Sequence, residues 1–262
     1  MFIDDELKDF FAESDVFEKA FAINGEVFRN VKNRKTMRFS HNGKNYFVKL
    51  HKGVGWKEIF KCLSMFKRPV LGAENEYMAI RLLEILEIPT MKCRAFAKRG
   101  TNPAKQESFI ITDELQGKIP LEDFCRDWKT NPPPSSLKNR IIDTLAMTCA
   151  QMHFAGMNHR DCYICHFLLD EKMLQEENKI SLCVLDLHRA EIRARVPRRL
   201  QIKDVAGIFF SSMDAGLKKR DALRFIAVYS KYGHLDPKFW GDVLKTAVKL
   251  YRKEWNREPE LG

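Results

Sequence analysis

The stretch His153-Phe-Ala-Gly-Met-Asn-His159-Arg160-Asp161 sets a His-Arg-Asp triplet at the end of a helix-periodic segment, and Val184-Leu185-Asp186 follows further along the chain. Upstream, Phe47-Val48-Lys49 closes a strand-like run, and Glu76 lies in the next helix-like segment. Phosphoryl transfer needs such a set. A Lys holds the α- and β-phosphates and is itself held by a Glu; one Asp accepts or orients the attacking hydroxyl, and a second Asp binds Mg²⁺. Isolated triplets of this kind are common by chance, so the signal lies in their order, spacing and contexts together. Asp161 is then the expected catalytic group, Lys49 and Glu76 serve ATP, and Asp186 serves the metal. Glu74 is the alternate partner for Lys49, but Glu76 shares its helix face with Ile80 and Leu83, which should point inward.

The elements that must position these groups are readable in outline. Residues 4–22 form an amphipathic helical pattern with Phe10, Phe11, Phe17 and Phe21 on it. Strand-like runs follow, and Asn42-Gly43 between two of them is a hairpin signal. Helical patterns occupy residues 56–67 and 73–87, the second ended by Pro89, and β-like runs cover 91–97 and 108–112. Past Pro132–Pro134 the pattern turns helical, with a long helix over 137–155, two short apolar runs at 167–169 and 180–186, and helices over most of 201–256. This is an α+β, two-lobed, protein-kinase-like architecture, with a β-rich N-lobe over residues 1–115 and a helical C-lobe over 116–262. The segment Asp113-Glu-Leu115-Gln-Gly is the expected hinge. ATP is expected in a cleft between the lobes, its adenine edge against backbone at Asp113–Leu115.

Composition bounds the partners. The chain has 262 residues, 45% of them hydrophobic, and a formal net charge of +10. That excludes a mostly disordered chain and favours an anionic substrate or partner. No run of about 18 uncharged apolar residues exists to span a bilayer. The acidic start lacks the basic and apolar regions of a secretory signal, so a cytoplasmic location is expected. The seven cysteines are scattered, as expected of small buried residues in a reducing compartment. Cys162-Tyr-Ile-Cys165-His166 matches the haem-attachment pattern, but haem attachment needs export, and no second Cys/His pair is spaced for zinc. The two cysteines read as packing residues. No aromatic-plus-basic groove pattern supports nucleic-acid binding.

The string Asn158-His-Arg-Asp-Cys-Tyr-Ile-Cys-His-Phe-Leu-Leu169 resembles the catalytic loop of the bacterial lipopolysaccharide core heptose(I) kinases. Gly25-Glu-Val-Phe-Arg, Tyr46-Phe-Val-Lys49, Gly55-Trp-Lys-Glu-Ile-Phe-Lys-Cys-Leu and Pro69-Val-Leu-Gly-Ala are similar to the same family. The resemblance implies transfer of the ATP γ-phosphate to a hydroxyl of the first heptose of the inner core. A related family phosphorylates the neighbouring Kdo sugar, and protein kinases acting on Tyr or Ser share the same superfamily.

Departures from the protein-kinase pattern are informative. The Mg²⁺-binding Asn of the catalytic loop is replaced by His166, a softer ligand, which either serves as a second metal ligand or makes a structural or substrate hydrogen bond. The metal triplet reads Asp186-Leu-His188, without Gly. The Gly-rich phosphate loop is absent, and Asn30-Val-Lys32-Asn-Arg34-Lys35-Thr stands there instead. Lys32, Arg34 and Lys35 either supply charge to the phosphates directly or form a solvated basic turn. His159 and Arg160 are expected to support the catalytic loop. Asp204 reads as the buried Asp that braces it, at a helix start where it could also be a plain N-cap.

Between Asp186 and Asp204 there is no Ser, Thr or Tyr to be phosphorylated, and no Ala-Pro-Glu platform for a peptide. That stretch carries Arg189, Arg193, Arg195, Arg198, Arg199 and Lys203. We read it as a dock for an anionic glycolipid acceptor, the lipopolysaccharide inner core, rather than a merely solvated face. The stripe Trp56, Ile59, Phe60, Leu63 and Phe66 reads first as lobe packing. Its alternative is a helix lying on the anionic inner leaflet, which would make the protein peripheral to the cytoplasmic membrane. The positive charge also admits a small acidic protein partner, such as an acyl carrier protein.

Overall fold

The computed structural model of the chain describes residues 1–12, 15–31, 33–65, 68–233 and 236–260. Two compact units emerge, one made of Met1–Arg81 with Met91–Gln116 and the other of Leu82–Thr90 with Gly117–Gly262. The main division falls after Gln116. The short segment Leu82–Thr90, however, groups with the helical unit and not with the β-rich one.

The first unit contains β1 (Phe2–Ile3), α1 (Lys8–Phe11), α2 (Val16–Phe21), β2 (Glu26–Val31), β3 (Arg34–His41), β4 (Lys44–His51), α3 (Trp56–Ser64), most of α4 (Glu74–Ile85), β5 (Cys93–Arg99) and β6 (Glu107–Asp113). The continuous N-terminal helix expected from periodicity is broken in two. Asp15 accepts hydrogen bonds from the N–H groups of Phe17 and Glu18, so it caps a new helix at the point where the old one would have continued. Asn42 and Gly43, with φ of 47° and 73°, make the two-residue turn between β3 and β4, the left-handed pair that a tight hairpin demands.

The strands form one antiparallel sheet in the order β1-β5-β6-β4-β3-β2. One face carries Met37, Phe39, Tyr46, Val48, Leu50, Phe109 and Ile111, packed beneath Phe11, Phe17 and Ala20 of the two short helices. Strand side chains alternate between faces. Lys49 therefore stands on the other face, opposite Thr36 on β3 and Ile110 on β6.

The second unit contains β7 (Lys118–Pro120), α5 (Leu121–Phe124), α6 (Ser135–Phe154), β8 (Met157–Asn158), β9 (Phe167–Asp170), α7 (Glu171–Glu177), β10 (Leu182–Val184), β11 (Glu191–Ile192), α8 (Arg198–Ser212), α9 (Lys219–Tyr229) and α10 (Pro237–Trp255). Helix α6 packs on α9, and α8 on α10. Two small antiparallel sheets, β10-β9-β7 and β11-β8, carry the loops of interest. Helix α8 starts directly after Pro197, so Asp204 lies in its interior; the expectation of a helix start at Asp204 is corrected, and an N-cap role is excluded. Gly207 on α8 has a packing reason: a Cβ there would stand 2.4 Å from the Cys162 carbonyl oxygen. The helix can press against the catalytic loop only because that side chain is missing.

Candidate active site

In the first unit, the Lys49 Nζ donates to Glu76 Oε1 at 2.5 Å. Glu76 is fully buried and Lys49 nearly so, so the ion pair fixes the ammonium at the surface of the sheet. Glu74, the alternate, pairs with Lys98 on β5. Asp113 ends β6, and its carboxylate grips Arg94 through two hydrogen bonds of 2.6 and 2.7 Å. The Asp113 side chain is thus committed to Arg94. The Asp113 and Glu114 N–H groups already donate to the carbonyls of Lys92 and Asn45.

The basic segment replacing a glycine-rich loop is the β2–β3 hairpin. Lys32 lies outside the described residues. Register separates the other two side chains, because Arg34 pairs with His51 and Lys35 with Leu50. Arg34 therefore shares the face of Lys49, whereas Lys35 belongs to the opposite, core-side face. Arg29 pairs with Thr36, which pairs with Lys49. It stands in line with Lys49 across two strand spacings, about 10 Å. Sequence reading passed over Arg29, although the alternation counted outward from Lys49 would have found it.

In the second unit, the loop after β8 is held from below by Asp204, which is 1% exposed. Its Oδ2 accepts the His159 N–H at 2.6 Å, and its Oδ1 accepts the Arg160 N–H at 3.0 Å. His153 lies 3.3 Å from the same carboxylate, and its other ring nitrogen is 2.5 Å from the Tyr229 hydroxyl. Arg160 takes a left-handed conformation, φ 73°, and donates to Glu191 at 2.8 Å. The His159 ring is buried, and burial pulls its pKa down. The neutral ring lies 2.8 Å from the Leu185 carbonyl through Nε2.

Asp161 projects from this loop. Arg189 Nη1 donates to its Oδ1 at 2.6 Å. The backbone carbonyl of Asp161 lies 2.7 Å from His166 Nδ1, and the His166 ring stacks nearly parallel on His159 with centroids 5.8 Å apart. On its far side, His166 Nε2 is 3.7 Å from Asp186 Oδ2. Burial opposes charging of His166. The Cys165 thiol, the Asp161 carbonyl and the Asp186 charge outweigh it and push the pKa up to about 9. In this geometry His166 ties the Asp161 loop to Asp186.

Asp186 has φ 55°, a left-handed conformation that a non-glycine residue adopts at a cost of about 1 kcal/mol. Its Oδ1 lies 2.5 Å from His188 Nδ1. This neighbour was not foreseen, since only its departure from a usual glycine was visible. Among the described residues no three His, Cys, Asp or Glu side chains cluster to hold a metal. Mg²⁺ takes one or two carboxylates and completes its shell with phosphate oxygens and water. Asp186, one-third exposed, offers the hard oxygen donor required.

The basic stretch divides. Arg193 donates to Asn158 at 2.6 Å and pairs with Glu191, fastening β11 to β8 and so shaping the loop. Arg189 holds Asp161. Arg198 pairs with Asp236 at 2.6 Å and lies over the Phe239 ring. Arg195, Arg199 and Lys203 are exposed and make no ion pair or hydrogen bond among the described residues. Of the C-x-x-C pair, Cys162 is buried and Cys165 half-buried, and both are free thiols.

Lined by Trp128, Ile141, Leu145, Ile208, Phe225 and Trp240, among others, a cavity of about 580 Å³ opens within the second unit. Its walls are mostly apolar, and Ile164 of the catalytic loop is among them.

A lysine–glutamate pair on a β-sheet, a braced His-Arg-Asp loop and a left-handed metal-type Asp define an ATP-dependent phosphotransferase of the kinase-like class. The profile of the lipopolysaccharide kinase (Kdo/WaaP) family matches residues 18–229, and the chain belongs to that family. It is 49% identical over 215 residues to the lipopolysaccharide core heptose(I) kinase WaaP of Escherichia coli strain K12, covering 82% of this chain and 81% of the relative. Against the Pseudomonas aeruginosa heptose(I) kinase WaaP the identity is 46%, over 82% and 80% of the two chains. A solved structure, WaaP in complex with acyl carrier protein, superimposes with a TM-score of 0.83 at 37% identity, covering 95% of this chain and 98% of that one.

Proposed function

We propose that this chain phosphorylates a hydroxyl of the first heptose of the lipopolysaccharide inner core, with ATP as donor. The observation that carries the chemistry is the Asp161 carboxylate, oriented by Arg189 on a loop that Asp204 braces. In this reading Lys49, set by Glu76, holds the α- and β-phosphates, and Arg34 adds charge from the same face of the sheet. The backbone at Asp113–Leu115 meets the adenine. Asp161 orients the heptose hydroxyl and takes its proton as the oxygen attacks the γ-phosphorus. Asp186 would hold Mg²⁺, which supplies charge neutralisation on the phosphates when bound. His166 acts as a positioning residue for Asp161 and Asp186. Arg195 and Arg199 would meet acidic groups of the acceptor. Heptose in place of Kdo rests on likeness to the heptose(I) kinases; the absence of any Ser, Thr or Tyr over residues 187–203 disfavours a peptide acceptor.

The test offers γ-labelled ATP and Mg²⁺ with two acceptors side by side, inner-core oligosaccharide lacking core phosphate and a mixed protein substrate. Label in the glycan that disappears with Asp161→Ala supports the reading. Label in protein alone would replace it with a protein kinase.

The apolar cavity favours a second element, a carrier partner. An acyl carrier protein presents an apolar acyl chain on an acidic surface, which suits a chain of net charge +10 with an apolar cavity in its helical unit. Co-purification with the acylated but not the unacylated carrier would support it, and equal retention of the two would count against it.

A further inference from the structure

Helix α3 turns most of its apolar stripe outward. Ile59 is buried at 5% exposure, whereas Trp56, Phe60, Leu63 and Met65 are 49%, 61%, 53% and 45% exposed. The expectation that this stripe is lobe packing holds for Ile59 and fails for Trp56, Phe60 and Leu63; Phe66 lies outside the described residues. Spacing of i, i+4 and i+7 puts Trp56, Phe60 and Leu63 along one line of the helix. The Trp56 and Phe60 rings stack with centroids 5.7 Å apart, so they form one surface and not scattered contacts. Lys57 and Lys61, both exposed, occupy the strip beside Phe60, with stems long enough to lie along the apolar face and heads free to reach outward.

A second group of exposed apolar residues ends nearby. Val27, Phe28 and Val31 on the edge strand β2 are each half-exposed or more. The β2–β3 turn is fastened to the lead-in of α3, since Lys52 N–H donates to the Asn33 carbonyl and the Asn33 amide donates to the Gly53 carbonyl. Exposed apolar surface such as that of α3 marks a contact site.

We infer that α3 is the element by which this protein lies on an anionic bilayer, with Trp56, Phe60 and Leu63 entering the headgroup boundary and Lys57 and Lys61 meeting the lipid phosphates. Three features select lipid over a protein groove. The face is convex and single-helical, it pairs an aromatic of interfacial preference with flanking lysines, and it carries one acid, Glu58, on the far side. The inference rests on the proposed lipid-linked acceptor, which obliges the enzyme to work at a membrane surface.

The experiment uses the full chain with vesicles of phosphatidylcholine alone and of phosphatidylcholine with phosphatidylglycerol, read by co-sedimentation. Wild type should sediment with the anionic vesicles and much less with the neutral ones. Trp56→Ser with Phe60→Ser should lower binding about tenfold or more, while circular dichroism, melting temperature and phosphorylation of lipid-free oligosaccharide stay unchanged. Trp255→Ser, which removes an exposed Trp on α10, should bind like wild type. Should the double variant fold poorly, quenching of Trp fluorescence by brominated lipid in the folded Trp255→Ser background answers the same question; absence of quenching overturns the inference. Equal vesicle binding by wild type and the double variant overturns it too. So does loss of acyl carrier protein binding in the double variant with vesicle binding kept, which would make α3 a carrier dock. Vesicle binding through α3 without glycan phosphorylation would leave the inference standing and remove the acceptor reading instead.

Discussion

Arg189 holds the carboxylate of Asp161 at 2.6 Å, although it lies 28 residues further along the chain in the stretch that sequence reading assigned to substrate docking. The pair gives the carboxylate one orientation, and in the proposed mechanism Oδ2 is the oxygen that meets the hydroxyl. Its two members should fail differently. Asp161→Ala removes the proton acceptor, and turnover should fall by about 10²–10⁴ with ATP binding kept. Arg189→Ala leaves the acceptor but frees its rotamer; kcat should fall about tenfold to a hundredfold with a small change in KM for ATP. Steady-state kinetics on the oligosaccharide decide it, and an unchanged kcat in Arg189→Ala would assign Arg189 to docking after all.

The Lys49–Glu76 pair predicts a separation of stability from activity. Lys49→Met leaves a fully buried carboxylate without its cation, which should destabilise the protein by about 3–5 kcal/mol. Adding Glu76→Leu removes the stranded charge and should restore most of that loss, while turnover stays at the background of the single variant. Urea denaturation beside a kinetic assay tests both halves.

Asp204 is predicted to act through the loop and not on the substrate. Replacing it with Ala strands the His159 and Arg160 N–H groups and the His153 ring, a cost of about 2–4 kcal/mol. The variant should unfold at lower urea, and kcat should fall with it. A variant of unchanged stability would show that water replaces the carboxylate without loss.

Acid sensitivity should localise at Asp170. Lys118 donates to its carboxylate and the Met173 N–H caps onto it, and together they hold its pKa below the ordinary 3.8. The sign follows directly. A folded pKa below the unfolded one means the stabilisation is complete above pH 3.8 and is lost as pH falls through the folded value. Asp170→Asn should therefore be less stable than wild type at pH 7, with the gap closing toward pH 3. A gap that stayed constant with pH would show that the carboxylate charge contributes nothing.

The contrast between Lys49 and Arg193 shows what a sequence conveys here. The pairing of Lys49 with Glu76 was legible because phosphotransfer constrains residue type, order and spacing, and periodicity placed both on their elements. The α+β division was legible from hairpin and helix signals. Arg193 was misplaced because charge runs do not say which side chain turns inward; Asn158 and Glu191 claim it, and neither is near it in any periodic sense. Lys35 was grouped with Arg34 because adjacency hides the fact that strand neighbours face opposite ways. The exposure of Trp56 was hidden for a related reason, since an apolar stripe reads the same whether protein or solvent covers it. The break at Asp15 went unread because a strong run of Phe carried the helical periodicity across it.

Metal dependence is the remaining consequence. In the proposed mechanism Asp186 is the hard oxygen donor to Mg²⁺. A divalent ion held by one or two carboxylates needs the nucleotide's phosphates to complete its shell. Binding of Mg²⁺ without ATP should therefore be weak, and ATP should tighten it by at least about tenfold, since linkage makes each ligand raise the other's affinity by the same factor. Titration calorimetry with and without a non-hydrolysable ATP analogue measures both sides of that cycle. Chelation should abolish turnover while leaving the melting temperature of the nucleotide-free protein unchanged, because no structural element is tied together by the ion. Asp186→Asn should lose the coupling. Tight Mg²⁺ binding by the nucleotide-free protein, or a melting temperature that drops on chelation, would show instead that the chain builds a complete metal site of its own.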